Sequence, residues 1–168
     1  MEFWDVYDSQ GNVTGKIKTR ADEFLEDEYH LGASLWIVNH KGDLLIQKRA
    51  LTKRIGPGKW GITGGAVRAG ERSADGCVRE VWEELGLQLK TQDIELLSRS
   101  FGKNIIFDDY VIVLDFTLTD AVLQAEEVSE IRWASVGEIR ELFYKGKFMF
   151  DDISEMDGVV EYIDEHIR

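Results

Sequence analysis

Basic residues are scarce in this 168-residue chain, and so are the residues that staple or interrupt a fold. There is one cysteine, Cys77, and one proline, Pro57. A lone thiol excludes an intramolecular disulfide and fits a reducing compartment. The solitary proline argues against Pro-rich linkers. No apolar run approaches the ~18 residues of a membrane helix. The N-terminus, MEFWDVYDSQ, lacks the basic-then-apolar order of a secretory signal. A cytoplasmic location, with no membrane partner, is the expectation. Twenty Lys and Arg against 32 Asp and Glu leave a formal net charge of −12. That argues against the basic footprint of a surface for DNA or RNA polymers. It leaves small phosphorylated ligands open, because carboxylates that hold divalent cations become locally positive.

What is present is a globular balance, 43% hydrophobic and 31% charged, at a length that supports a substantial core. Residues 1–168 read as a single domain without repeats or low-complexity tracts. Residues 2–8 and 13–18 read as strands around Ser9-Gln10-Gly11-Asn12, an N-terminal hairpin extension that runs with its connector to residue 28. Arg20–Glu28 is a charged connector or short helix. Residues 31–38 and 43–49 form a second strand pair around Asn39-His40-Lys41-Gly42. Residues 51–64 hold four glycines and the proline, which indicates a loop with a short strand near Trp60–Thr63. Residues 72–85 read as a helix closed by Gly86. Strands are expected at 94–101, 105–118 and 128–133. Helices are expected at 135–143 and 152–167, with Ser135 and Asp151 or Asp152 as N-caps. This order predicts an α/β (α+β) domain whose sheet is not purely parallel.

On a helix that advances roughly 100° per residue, Glu83 and Glu84 fall at roughly 300° and roughly 40° from Glu80. The three carboxylates share one narrow face. Ala74, Cys77, Val78, Val81 and Leu85 fall between roughly 60° and 160° and form a separate apolar stripe. One side of the helix is therefore buried while another presents carboxylates. Like charges at i,i+4 cost an isolated helix about 0.2–0.5 kcal/mol per pair. Arg79 is the local group that offsets this, and bound Mg2+ or Mn2+ is the stronger one. An isolated E-x-x-E-E is equally a solvated acidic face; its surroundings decide.

Those surroundings are Gly65, five residues, Glu71, seven residues, and then Arg79, Glu80, Val81, Trp82, Glu83, Glu84, Leu85, Gly86 and Leu87. The run resembles the Nudix box, G-x5-E-x7-R-E-U-x-E-E-x-G-U with U a bulky aliphatic residue, over residues 65–87. Similarity to the Nudix hydrolases implies the Nudix fold, an α-β-α sandwich with a mixed central β-sheet. It implies that Glu80, Glu83 and Glu84 bind catalytic Mg2+ or Mn2+, that Arg79 orients them and that Glu71 tethers the loop. The carbonyl of Gly65 or Gly64 adds a metal ligand. Glu80 is ligand, general base or both. A later carboxylate often serves as base or extra ligand; within Gln124–Trp133, Glu127 is the first candidate and Glu126 the second. The implied reaction is hydrolysis of a diphosphate linkage in a nucleoside diphosphate or related small nucleotide. Bound metal clamps the phosphates and acidifies a water, and a carboxylate accepts its proton. Many members of the family are dimers, so the resemblance is compatible with a homodimer, while the residues themselves do not indicate an oligomeric state.

The order His30-Leu31-Gly32-Ala33-Ser34-Leu35-Trp36-Ile37, then Gly42–Ala50, Lys53 and Gly58-Lys59-Trp60, also resembles isopentenyl-diphosphate isomerase and its hydrolase relatives. The isomerase places a catalytic cysteine just after the Trp strand, where this chain has Gly61-Ile62-Thr63-Gly64-Gly65. Cys77 is no substitute, because it falls on the apolar stripe, where a buried thiol is inert. A hydrolase is favoured over an isomerase-like enzyme and over a catalytically silent nucleotide-binding module. Lys48, Arg49, Lys53, Arg54 and Lys59 concentrate positive charge. Of these, Lys48, Arg49 and Lys59 are candidate substrate contacts, against the alternative of solvated charges on a strand edge. Lys48 and Arg49 are adjacent and so face opposite sides of a strand. His30 reads as a core or surface residue, and Trp36, Trp82 and Trp133 as core.

Overall fold

The stretch HLGASLWIV, apolar at most positions, needs a strand covered on both faces. The computed structural model, which describes Met1–Arg168, gives it one. In chain order the strands are β1 (Phe3–Tyr7), β2 (Val13–Thr19), β3 (His30–Val38), β4 (Leu44–Arg49), β5 (Trp60–Gly61), β6 (Thr63–Ala66), β7 (Glu95–Gly102), β8 (Ile105–Val113) and β9 (Val128–Ala134). Helix α1 (Ser73–Leu85) precedes β7, and α2 (Val136–Tyr144) and α3 (Asp157–His166) follow β9. β3 is central: it pairs in parallel with β8 and antiparallel with β4 and β6. β4 also pairs β5 and β9, and β8 pairs β7. The result is a seven-stranded mixed sheet, with β1 and β2 forming a separate hairpin.

Side-chain alternation along β3 creates two cores. Leu31, Ala33, Leu35 and Ile37 pack with Cys77, Val81 and Leu85 of α1. Trp36 and Val38 pack on the opposite face with Ile139 of α2 and Val159 and Ile163 of α3. Helices thus cover both faces of the sheet, the expected α-β-α sandwich. No helix is long and apolar enough to cross a membrane.

Local chemistry sets the boundaries, and in places moves them from the expected positions. Asn39 Oδ1 accepts hydrogen bonds at 2.9 Å from the Lys41 and Asp43 amides, closing the β3–β4 turn. Ser135 and Glu138 form a reciprocal capping box at the start of α2. The strand expected over 105–118 stops at Val113, because Asp115 leaves the ladder to accept from the His40 amide at 2.9 Å. The strand near Trp60 breaks at Ile62 and resumes through Ala66. Residues 152–167 do not form one helix. Asp152 and Glu155 cap a 3-10 turn, Ile153–Met156, before α3 begins. Residues 20–28 form turns and not a helix, since Asp22 folds back on the Thr19 amide at 2.6 Å. Trp36 is buried and Trp133 packs at the core margin against Phe116. Trp82, expected in the core, is 50% exposed. At roughly 200° from Glu80 it lies outside the apolar stripe.

On β8, Asp108 is 1% exposed and is held bidentately by Arg99 at 2.6 and 2.8 Å. Arg99 is 38% exposed, but removing it leaves the buried Asp108 carboxylate without its cation. Arg99→Met is expected to cost about 3 kcal/mol in urea denaturation. Arg168→Met, at an exposed i,i+4 pair with Asp164, is expected to change stability by less than about 0.5 kcal/mol.

Candidate active site

The apolar stripe fixes the rotation of α1, and that rotation decides what each glutamate meets. Cys77, Val81 and Leu85 are each at 0% exposure against the sheet. Gly86 ends the helix at φ 68°, a left-handed position that suits glycine, with its amide donating to the Trp82 carbonyl. Glu84 lies one residue from Leu85 and is drawn inward to 7% exposure. Glu80 is also mostly covered, and Glu83 stays at the rim.

Glu84 has no cation among its hydrogen-bonding partners. Its Oε2 accepts from Gln47 Nε2 at 2.7 Å and from Thr63 Oγ1 at 3.0 Å. Burial pushes its pKa up to about 7 despite those two bonds, with nearby Glu80 and Glu127 adding to the rise. Gln47 Oε1 is buried without a partner. A buried carboxylate beside an orphaned amide oxygen is costly for a fold and suits a site that binds a cation.

Arg79 does for the other carboxylates what nothing does for Glu84. Its Nε and Nη2 grip Glu71 at 2.7 and 3.0 Å, and Nη2 also donates to the Ala66 carbonyl at 3.0 Å. Nη1 reaches Glu80 at 2.7 Å and Glu83 at 3.2 Å. Glu71 in turn accepts from the Arg68 amide at 2.8 Å, closing the loop before α1. Burial raises the Glu80 pKa, and Arg79 opposes the rise.

The glycine pair on β6 sits against these groups for steric reasons. A Cβ on Gly65 would lie 2.4 Å from the Glu80 carboxyl carbon. One on Gly64 would lie 2.5 Å from the Ala33 carbonyl oxygen, on the neighbouring strand. Only glycine allows the backbone this close to Glu80. No three carboxylates converge to coordination distance as the side chains stand, since Arg79 draws Glu80 and Glu83 to itself. The donors nevertheless suit a hard divalent cation: three carboxylates, a backbone carbonyl at Gly65 or Gly64, and the spare Gln47 oxygen.

Glu127 approaches from the other side of the site, just before β9. Lys53 Nζ lies 2.5 Å from its Oε2, and the Ala50 amide donates to its backbone carbonyl. Glu126 is exposed and no side-chain contact ties it to the cluster. The three basic residues expected at the substrate are not gathered there. Lys48 lies 3.9 Å from Glu130 and over the Trp60 ring, on the sheet face opposite Gln47. Arg49 donates to the Ile55 carbonyl in its own loop, and Lys59 is exposed. Of the five basic residues between 48 and 59, Lys53 is the one paired with a site carboxylate. His30 stacks on Trp4 at 4.3 Å, and burial lowers its pKa to about 4. Burial drives the Cys77 thiol up to about 12, so it is no nucleophile.

Sequence reasoning missed Gln47 and Thr63. Gln47 carried a readable signal: it is a polar residue at an inward position directly after Leu44, Leu45 and Ile46. Thr63 had none beyond standing beside the glycine pair.

A carboxylate-bearing loop–helix–loop on a mixed α-β-α sandwich is the architecture of Nudix proteins, and comparison with known proteins bears this out. The NUDIX domain family matches residues 28–151. An uncharacterized Nudix hydrolase from Listeria monocytogenes is 36% identical over 152 residues, covering 89% of each chain. Isopentenyl-diphosphate Delta-isomerase from Shigella boydii is 29% identical over 140 residues, covering 80% of this chain and 77% of its own. A crystal structure from Deinococcus radiodurans superposes with a TM-score of 0.77 at 22% identity, covering 95% of this chain and 98% of that one. The chain belongs to the Nudix hydrolase family and is a pyrophosphohydrolase of that family. Members generally cleave pyrophosphate bonds in nucleoside diphosphate derivatives and use a divalent metal.

The raised Glu84 pKa links stability to pH. Below about 4.5 the carboxyl is protonated in both folded and unfolded chains and costs nothing. Between about 4.5 and about 7 the unfolded chain ionises first, so the metal-free protein loses stability as pH rises. The full penalty, about 3 kcal/mol, is present above that window. Thermal melts in EDTA are expected to show Glu84→Gln gaining on wild type from pH 4.5 to 7. Parallel curves would refute the assignment.

Proposed function

We propose that the chain is a Mg2+- or Mn2+-dependent hydrolase of the diphosphate linkage in a nucleoside diphosphate derivative or related small nucleotide. The observation that carries this reading is the burial of Glu84 beside Glu80 without a cation of its own. Glu80, Glu83 and Glu84, with the Gly65 or Gly64 carbonyl, would hold the metal. Once bound, the metal neutralises phosphate charge and lowers the pKa of a coordinated water.

The chain's own residues then have separable tasks. Arg79, anchored through Glu71 and the Ala66 carbonyl, orients Glu80 and Glu83. Gln47 and Thr63 hold Glu84 by one oxygen and leave the other free. Glu127 is the general base: Lys53 takes its Oε2, so Oε1 is the atom that accepts the proton from the attacking water. Glu80, whose Oε1 is bonded to Arg79, serves as ligand in this arrangement. A thiol-dependent isomerisation has no support, since the one cysteine is in the core.

Glu83→Gln and Glu84→Gln are expected to abolish turnover while circular dichroism stays native. Glu127→Gln is expected to lower kcat about 10²- to 10⁴-fold with metal affinity retained. A panel of nucleotides with Mg2+, Mn2+ or EDTA, scored separately for phosphate and pyrophosphate release, identifies the bond cleaved. Wild-type kcat in either metal-ligand variant, or turnover undiminished in EDTA, would overturn the proposal. Tight nucleotide binding without any turnover would favour a silent binding module.

A further inference from the structure

Besides Arg79 and Lys53, one more cation stands against the site carboxylates. Arg68 lies in the loop between β6 and α1, and its Nη2 donates to Glu83 Oε1 at 3.3 Å. Its Nε lies 3.8 Å from Glu2 Oε2, at the start of the chain. Glu2 is itself held, because its Oε1 accepts from the indole of buried Trp4 at 2.7 Å. The matched NUDIX domain begins at residue 28, so this corner of the site is completed by the N-terminal hairpin that precedes it.

The base of Arg68 is fixed. Its amide donates to Glu71 at 2.8 Å, the Ala69 amide to the Phe3 carbonyl at 2.7 Å, and the Gly70 amide to Asp5 Oδ2 at 2.8 Å. β1 thus clamps the loop from one side and the Arg79–Glu71 pair from the other. The guanidinium at the end of that base is nearly unspent. It makes one hydrogen bond from the five N–H donors such a group carries. Every side-chain nitrogen of Arg79, by contrast, is engaged. The Arg68 side chain is 44% exposed and, with Glu2 and Phe3, borders an open cavity of about 540 Å³.

An exposed pair such as Arg68–Glu83 adds little stability. A planar guanidinium with free donors on a fixed loop is suited instead to phosphate oxygens, which it meets in pairs. Its one hydrogen-bonding partner, Glu83, is also a proposed metal ligand. A Glu83 oxygen given to a cation is no longer given to Arg68, so loading the site frees the guanidinium beside the carboxylate cluster. We propose that Arg68 is a substrate-binding residue, which exchanges Glu83 for non-bridging phosphate oxygens of the diphosphate on the side closed by the N-terminal hairpin. The inference rests on the diphosphate-hydrolase reading and gives it a phosphate contact that Lys48, Arg49 and Lys59 do not provide.

The test is calorimetric titration of the protein, in excess Mg2+, with methylenediphosphonate, whose P–C–P bridge has no phosphoanhydride bond to hydrolyse. Arg68→Met is expected to weaken its binding about tenfold to a hundredfold. Arg68→Lys is expected to fall between, because a point charge replaces the fork. Mg2+ titrated alone is expected to bind Arg68→Met at least as tightly as wild type, since Glu83 has lost a competitor. A residue that merely supports the loop would weaken Mg2+ and diphosphonate together. Diphosphonate affinity within twofold of wild type in Arg68→Met, or an equal loss of Mg2+ affinity, overturns the inference and leaves the hydrolase reading standing. No binding of the diphosphonate by wild type removes both.

Discussion

One guanidinium makes the carboxylate helix tenable. Arg79 binds Glu71, Glu80, Glu83 and the Ala66 carbonyl at once. It joins the loop before α1, the end of β6 and two of the helix's acids into one unit. Without it, Glu80 and Glu83 would repel across a helix face pressed against a sheet. The arrangement is also asymmetric. Glu84 is outside Arg79's reach and instead meets neutral donors, Gln47 and Thr63. The site therefore holds two acids compensated by protein and one left uncompensated.

The rest of the fold serves that geometry. Alternation on β3 puts Leu31, Ala33, Leu35 and Ile37 under α1, and this packing sets the helix rotation to within the width of the apolar stripe. The same strand turns Gly32 and Ser34 to its other face, where both are buried. Gly64 and Gly65 sit back to back across β6, one touching β3 and the other Glu80. Two faces of one sheet thus meet at a pair of residues without side chains.

Much of this was legible in the sequence. The spacing of Glu80, Glu83 and Glu84 against Cys77, Val81 and Leu85 gave the helix, its buried stripe and its acidic face. The strands at 31–38 and 43–49 and the turn between them were legible too, as β3 and β4. What was not legible depended on residues far apart in the chain. The pairing of Lys53 with Glu127 and of Gln47 with Glu84 arises from β4, β9 and α1 converging, and no local pattern encodes it. Strand ends failed where a side chain left the ladder for a turn, as at Asp115. Trp82 lies half exposed because its angle on α1, outside the apolar stripe, outweighs the apolar character of its side chain.

The parallel pairing of β3 with β8 joins positions such as Ser34 and Asp109, which are 75 residues apart. All of α1 and the glycine pair lie inside that span. During synthesis the acidic helix emerges before β8 and β9 exist to complete the sheet and bring Glu127 into place. Closing so long a connection is slow compared with forming a helix. The site is therefore among the last features to assemble, because Glu127 joins the carboxylates of α1 only once the whole sheet has closed.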